Sequence, residues 1–260
     1  MEETVRRRLS AAFDDAVDRY ERARPTYPVP AVRWLVPPAA RTLLDVGAGT
    51  GKLTRVLVGL GYSVTAVEPL AGMLAELARL LPGVTVLAGT AERLPVPAAS
   101  VDAVLVAQAW HWFDERAAAV EAARVLRPGG YLGLLWNELD DAVPWIARLR
   151  RLIGAVAQRA AGGPVREEAV RPELGPLFGP PDTAQFRHSQ RVDLPTLLDG
   201  VASRSYVITR PAAERDRLLA DVAELARTHP DTAGRAEYVL PYRTRCWRAC
   251  RRTGAAVAGE

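Results

Sequence analysis

Between residues 42 and 136, five short apolar runs alternate with stretches of helical periodicity. Residues 42–46, 63–67, 84–88, 101–107 and 131–136 read as strands, with helices over 52–60, 71–81 and 115–126. The fourth run is almost wholly apolar, as a strand covered on both faces has to be. Strands that alternate with helices of this length build βαβ units, a parallel sheet with helices on both faces. At 260 residues, and about 100–200 residues per domain, the chain reads as one domain. Residues 1–40 are expected to form an N-terminal helical cover, 41–137 a ligand-binding core, and 138–260 a second cover with the final strands. Past Asn137 the pattern predicts a helix over about 143–159, a Gly/Pro-rich loop over 162–181 and a strand over 184–191. Helices over 194–203 and 211–228 follow, and a closing strand over 237–249 places Pro241 at a bend or bulge.

The segment most telling for function is Asp45-Val46-Gly47-Ala48-Gly49-Thr50-Gly51-Lys52. It lies at the carboxyl end of the first strand, leading into a helix, where open α/β sheets bind ligands. Glycines there let backbone approach a ligand closely, and the helix amides favour a negative group. A dinucleotide fingerprint would need glycine where Lys52 stands. A P-loop would need glycine at Val46 and Ser or Thr at Leu53. What remains is D-x-G-x-G-x-G, with Glu68 and Pro69 closing the second strand, Glu68 lying seventeen residues after Gly51. A carboxylate at that place can take both ribose hydroxyls, and a loop without phosphate-binding geometry suits a nucleoside without phosphates. S-adenosylmethionine is such a nucleoside.

From about Phe13 to Asn137 the chain resembles the class I S-adenosylmethionine-dependent methyltransferases, in the branch similar to trans-aconitate methyltransferase. The resemblance rests on the glycine loop, Val67-Glu68-Pro69, residues 89–95 (GTAERLP), 108–114 (QAWHWFD) and 126–130 (LRPGG). Further matches at residues 20–28 (YERARPTYP), 203–206 (SRSY) and 240–244 (LPYRT) extend it to nearly the whole chain. It implies a Rossmann-like doubly wound sheet of seven strands with the last antiparallel. It also implies that Gly47, Gly49 and Gly51, with Asp45 and Ala48 in the same loop, line the methionyl part of the cofactor, while Glu68 and Pro69 meet its ribose. Thr90, Ala91 and Glu92 would sit beside the adenine; many relatives carry Asp where this chain has Thr90. Tyr20, Arg24 and Tyr27 fall in a segment that folds over the cofactor, Arg24 pairing with its carboxylate.

Methyl transfer from a sulfonium is an in-line displacement, so the protein mainly aligns nucleophile, methyl and sulfur. A base helps only if the nucleophile starts protonated. His111 is the candidate, just past the fourth strand beside Gln108, which is assigned to the cofactor edge. Trp110, Trp112 and Phe113, with Tyr27, Asn137 and Tyr206, are expected to wall the acceptor pocket. No metal is expected, because His111, His188 and His229 lack ligand spacing and Gln108 stands where catechol-type relatives carry a carboxylate.

Composition sets the remaining bounds. The net charge of +4 and the pI of 9.4 suggest a nucleic-acid partner, yet Lys52 is the only lysine among 34 basic residues. The arginines are interleaved with acids, a pattern of GC-rich coding and not of a basic face, so no nucleic-acid partner is expected. No apolar run reaches the length of a membrane span, and no signal region follows Met1-Glu2-Glu3-Thr4, so a cytoplasmic protein is expected. Cys246 and Cys250 are expected to be free thiols. The expected activity is methylation of a small molecule, on oxygen before nitrogen or carbon. An RNA or protein methyltransferase and a non-catalytic cofactor-binding scaffold are the alternatives.

Overall fold

The computed structural model describes residues 21, 23–161 and 172–253. Seven strands form one sheet: β1 (Thr42–Val46), β2 (Ser63–Glu68), β3 (Thr85–Ala88), β4 (Val101–Ala107), β5 (Leu126–Leu139), β6 (Asp182–Val192) and β7 (Tyr238–Cys250). Their order is β3-β2-β1-β4-β5-β7-β6. The first five are mutually parallel, and β7 runs antiparallel to both β5 and β6. This is the doubly wound sheet with its last strand reversed that the sequence implied.

The helices are α1 (Val29–Leu35), α2 (Lys52–Gly59), α3 (Ala71–Leu80), α4 (Glu115–Val125), α5 (Pro144–Ala161), α6 (Leu194–Ala202), α7 (Ser205–Ile208) and α8 (Ala212–Thr228). Side chains of a strand alternate between faces, and the two cores follow from that. Leu43 packs with Leu35 of α1 and Leu57 of α2, while Leu44 and Val46 pack with Ala118 and Ala122 of α4. The α4 start is set by Asp114, whose carboxylate accepts from Ala117 N at 3.0 Å. α1 is pinned to the far strands by Arg248, which donates to Trp34 O at 2.7 Å and lies over the Trp34 ring. A third apolar cluster joins α5, α6 and α8 to the ends of β5, β6 and β7 through Ile146, Leu149, Val201, Val222, Leu240 and Tyr242. This helical layer covers the carboxyl end of the second half of the sheet, within the span expected to cover an acceptor.

Pro241 makes neither bend nor bulge. The β6–β7 register runs through it without a shift, Leu240 facing Gln190 and Pro241 facing Ser189. Its carbonyl accepts from Asp140 N at 2.9 Å, so the missing N–H points to the β5 side, where pairing has already ended at Leu139 and Tyr242. β5 is longer than expected at both ends, because Leu126 pairs with Val101 of β4 and because β7 pairs with it as far as Leu139. Cys246 is buried, Cys250 half-buried, and both are free. The two sheet edges differ: β3 has four residues, while β6 has eleven and exposes Arg187 and Arg191 on its outer face. Among the described residues, no helix is long and apolar enough to cross a membrane.

Candidate functional site

The carboxyl ends of β1, β2, β3 and β4 share one edge of the sheet, and the loops leaving them bring most of the expected residues together. The glycine loop is hung from β2, Gly47 N and Ala48 N both donating to Val67 O at 2.9 and 3.1 Å. Two of its glycines are needed for different reasons. Gly47 has φ +67°, and a Cβ there would stand 2.8 Å from the Ala109 Cβ, so glycine lets the loop close against the β4 loop. Gly49 has φ +57° and nothing within 4 Å of an added Cβ. It faces open space, and any side chain there would fill the cradle. The Ala48 side chain packs inward with Ala66 and Leu77, leaving only its backbone for a ligand.

Glu68 closes the cradle. Its side chain is buried, Oε2 accepts from Gly49 N at 2.9 Å and Oε1 from Leu70 N at 3.0 Å. Burial raises its pKa, and the two amides act against that rise. Each oxygen keeps a second lone pair, so a diol facing the carboxylate can donate to both. Asp45 lies beneath the loop at 1 % exposure. Its Oδ2 accepts from Thr54 Oγ1 at 2.6 Å, and its Oδ1 has no partner among the described residues. Burial pushes its pKa up to about 7, opposed by the Thr54 hydrogen bonds. Pro69 is exposed beside Glu68, and Thr90 and Glu92 are half-buried around the buried Ala91. Glu92 accepts from Asp114 N at 3.0 Å, joining the β3 loop to the β4 loop. The open cradle at Gly49, the flanking carboxylate and the absence of a phosphate loop fit an adenosyl ligand.

Gln108 follows β4 with φ +58°, a strained conformation of the kind that concentrates at functional sites. Its amide donates to Leu135 O at 2.9 Å and its Nε2 to Asn137 O at 3.0 Å. A single 3₁₀ turn, Trp110–Trp112, follows and sorts the aromatic cluster. Residues three apart eclipse on such a turn, so Trp110 and Phe113 meet edge to face at 5.9 Å while His111 points away. Trp110 is therefore core, 1 % exposed and packed with α4, and not pocket wall as expected. Tyr27 is likewise buried, in the cluster under α1 and α2. Phe113 lies against Gly47, and Trp112 is half-buried with its ring 4.8 Å from that of His111. His111 is exposed at the rim, and the protein mass around it lowers its pKa by desolvation.

Beyond Gln108 the site continues over one face of β5, β7 and β6. Asn137 donates to Thr26 O at 3.0 Å and accepts from Thr244 Oγ1 at 2.6 Å, and Thr244 Oγ1 also meets His188 Nδ1 at 3.2 Å. His188 stacks on Tyr242 at 5.2 Å. The Tyr242 hydroxyl has a pKa raised by burial, with the charges of Arg204 and Arg24 acting against the rise. Arg24 donates to Ser203 O at 3.1 Å, and Arg204 to the Tyr206 hydroxyl at 3.2 Å. Tyr20 lies outside the described residues. Sequence reasoning gave no site role to His188, Arg204, Tyr242 or Thr244, although the last three lie in the segments 203–206 and 240–244 that carry the resemblance. The one signal for His188 was strand periodicity, which puts residues 186, 188 and 190 on one face. Among the described residues, no group of three His, Cys, Asp or Glu is placed to hold a metal.

Comparison with known proteins agrees with this arrangement. Residues 44–134 match the family described as "Methyltransferase domain". An uncharacterised methyltransferase of Mycobacterium tuberculosis is 48% identical over 248 residues, covering 94% of this chain and 97% of the relative. An uncharacterised methyltransferase-like protein of Schizosaccharomyces pombe is 33% identical over 237 residues, 89% of this chain and 92% of its own. A solved structure from Anaeromyxobacter dehalogenans, described provisionally as a type II methyltransferase, superposes with a TM-score of 0.66 at 28% identity, over 88% of this chain and 97% of that one.

Proposed function

The chain belongs to the class I S-adenosylmethionine-dependent methyltransferases, and from that premise we propose that it methylates an oxygen of a small-molecule acceptor. S-adenosylmethionine supplies a methyl carbon on a positively charged sulfur, already activated for displacement. The protein's task is to hold and align. Glu68, with Pro69 beside it, holds the ribose; the backbone of Gly47, Ala48, Gly49 and Gly51 lines the methionyl part, with Asp45 supporting the loop from beneath; Thr90, Ala91 and Glu92 flank the adenine. Arg24 closes over the cofactor and Gln108 borders it. The observation that carries the cofactor assignment is the buried Glu68 carboxylate held on the amide of Gly49, a residue that itself opens on free space.

The acceptor lies, in this reading, against Trp112, Phe113, Asn137 and Tyr206, with Tyr27 and Trp110 supporting the wall from behind. Arg24 and Arg204 give that face a positive potential around Tyr242, which suits an oxygen carrying negative charge, a carboxylate above all. His111, whose pKa is lowered by desolvation, takes the proton when the acceptor is a hydroxyl and orients the oxygen when it is a carboxylate. In either case the oxygen lone pair forms the bond to carbon while the carbon–sulfur pair returns to sulfur.

Calorimetry with S-adenosylhomocysteine, NAD and ATP tests the first half, and tighter binding of NAD or ATP would sink it. For the second half, small carboxylic acids, phenols, amines, bulk RNA and protein are offered in turn, following S-adenosylhomocysteine release. Transfer to a carboxylate or phenol oxygen is the expected result; transfer only to nitrogen, RNA or protein overturns the acceptor assignment.

A further inference from the structure

The N-terminal segment reaches the site from outside the sheet, and what fastens it there is unusual for this chain. α2 begins at Lys52 with no acidic residue in its first turn. A helix N-terminus repels a cation, so a lysine at this position needs a carboxylate brought from elsewhere. Glu21 brings it. Its carboxylate pairs with Lys52 Nζ at 3.3 Å and with Arg55 Nη2 at 3.0 Å, and accepts from Thr50 Oγ1 at 2.6 Å. Lys52 Nζ also donates to the Glu21 backbone carbonyl. Both side chains are largely enclosed, at 16% and 17% exposure against 47% for Arg55.

In a chain whose other basic residues are all arginine, the one lysine stands where one compact ammonium serves a carbonyl and a carboxylate of the same residue. A planar guanidinium, with its donors fixed in a fork, is not equivalent to that compact ammonium. Three and five residues later the same segment is tied to the acceptor face, Arg24 to Ser203 O and Thr26 O to Asn137. The segment therefore spans the site and is held on both sides.

We propose that Lys52 is a positioning residue: through Glu21 it fastens the N-terminal strap across the glycine loop, and so holds Arg24 where cofactor and acceptor meet. The proposal rests on the reading of this loop as the S-adenosylmethionine site.

The test measures dissociation of S-adenosylhomocysteine from the full chain and from Lys52→Met, Glu21→Gln, the double variant and Lys52→Arg. Truncating Lys52 leaves Glu21 only the more exposed Arg55 as a cationic partner, and truncating Glu21 leaves the enclosed Lys52 ammonium at a helix N-terminus without its carboxylate. Each single variant should release the ligand roughly tenfold faster, the double no faster than either single because the two act as one unit, and Lys52→Arg should not restore the slow rate. Wild-type release rates in folded variants, or effects of the two singles that multiply in the double, overturn the proposal. Amine acetylation gives a readout that needs no stability comparison, since Lys52 carries the only side-chain amine. S-adenosylhomocysteine should slow its labelling in the wild-type chain, and Glu21→Gln should remove that protection; equal labelling with and without ligand counts against the strap. A wild-type chain that does not bind S-adenosylhomocysteine would overturn the cofactor reading itself, whereas wild-type binding with unaffected variants overturns only the fastening.

Discussion

At the scale of the residue, Glu68 is held by two backbone amides before any ligand arrives, one from Gly49 and one from Leu70. Its orientation is thus fixed in advance, and binding costs it no further rotamer freedom. Replacing Glu68 with Gln keeps the shape, removes the charge and sets an amide NH₂ against one of those two donors. Hydrogen bonds to charged groups contribute about 1.5–3 kcal/mol, so the S-adenosylhomocysteine Kd should rise by roughly 10- to 150-fold by calorimetry. Because burial raises the Glu68 pKa, its proton returns at a higher pH than for an ordinary glutamate. The affinity of the wild type should therefore weaken on acidification sooner than a solvent-exposed carboxylate would allow, and that pH dependence should vanish in Glu68→Gln. An unchanged Kd in the folded variant would mean that the carboxylate serves only the loop.

At the scale of the element, the glycine loop makes a prediction that separates folding from binding. Gly47→Ala places a Cβ against Ala109 and Phe113, so it should lower the melting temperature and disturb the β4 loop. Gly49→Ala meets nothing, and its cost to the fold is only the left-handed backbone, about 1–2 kcal/mol. It should nevertheless abolish S-adenosylhomocysteine binding, because the methyl fills the cradle. Equal effects of the two on binding and on stability would remove that distinction. β1, β2 and β4 were legible in the sequence to within a residue, since a strand buried on both faces writes itself as an apolar run. β5 was legible only in its central part, because Asn137 and Glu138 are strand residues by virtue of pairing with Thr244 and Arg243, more than 100 positions away. The same distance hid much of the proposed acceptor side. Glu68 and the glycines are neighbours of a readable strand, but His188 meets Thr244, and Arg24 meets Ser203, through contacts that no local pattern encodes. The 3₁₀ turn that sends Trp110 inward and His111 outward is three residues long, too short to show in a hydrophobic period.

At the scale of the whole molecule, Asp45 ties the site to global stability. Its pKa is about 7 in the folded chain and 3.8 as an ordinary aspartate. Above pH 7 both states carry the charge, and the fold bears the cost of burying it. As pH falls through 7 the folded state takes up the proton first, so Asp45 makes the fold more stable down to about pH 4. Asp102 works the other way: burial pushes its pKa up, but the amides of Thr42 and Arg41 and the Arg127 guanidinium prevail and hold it well below the usual carboxylate range. The difference between wild type and Asp45→Asn isolates the first effect. In urea unfolding, wild type should gain on the variant between pH 8 and pH 5, and a gap that does not change with pH would show that Asp45 is not protonated in the fold.

The long outer strand has a consequence for how this protein keeps company with itself. Among the described residues, no strand pairs with the outer side of the eleven-residue β6, and such an edge is a template on which another chain could add and a route to aggregation. Arg187 and Arg191 stand along that margin with their side chains in solvent. Like charges brought edge to edge repel, so a second β6 approaching in register meets the same cations. The margin that the sheet cannot close by hydrogen bonding is kept apart by charge, and crowding in concentrated solution is resisted where the fold is most open to it.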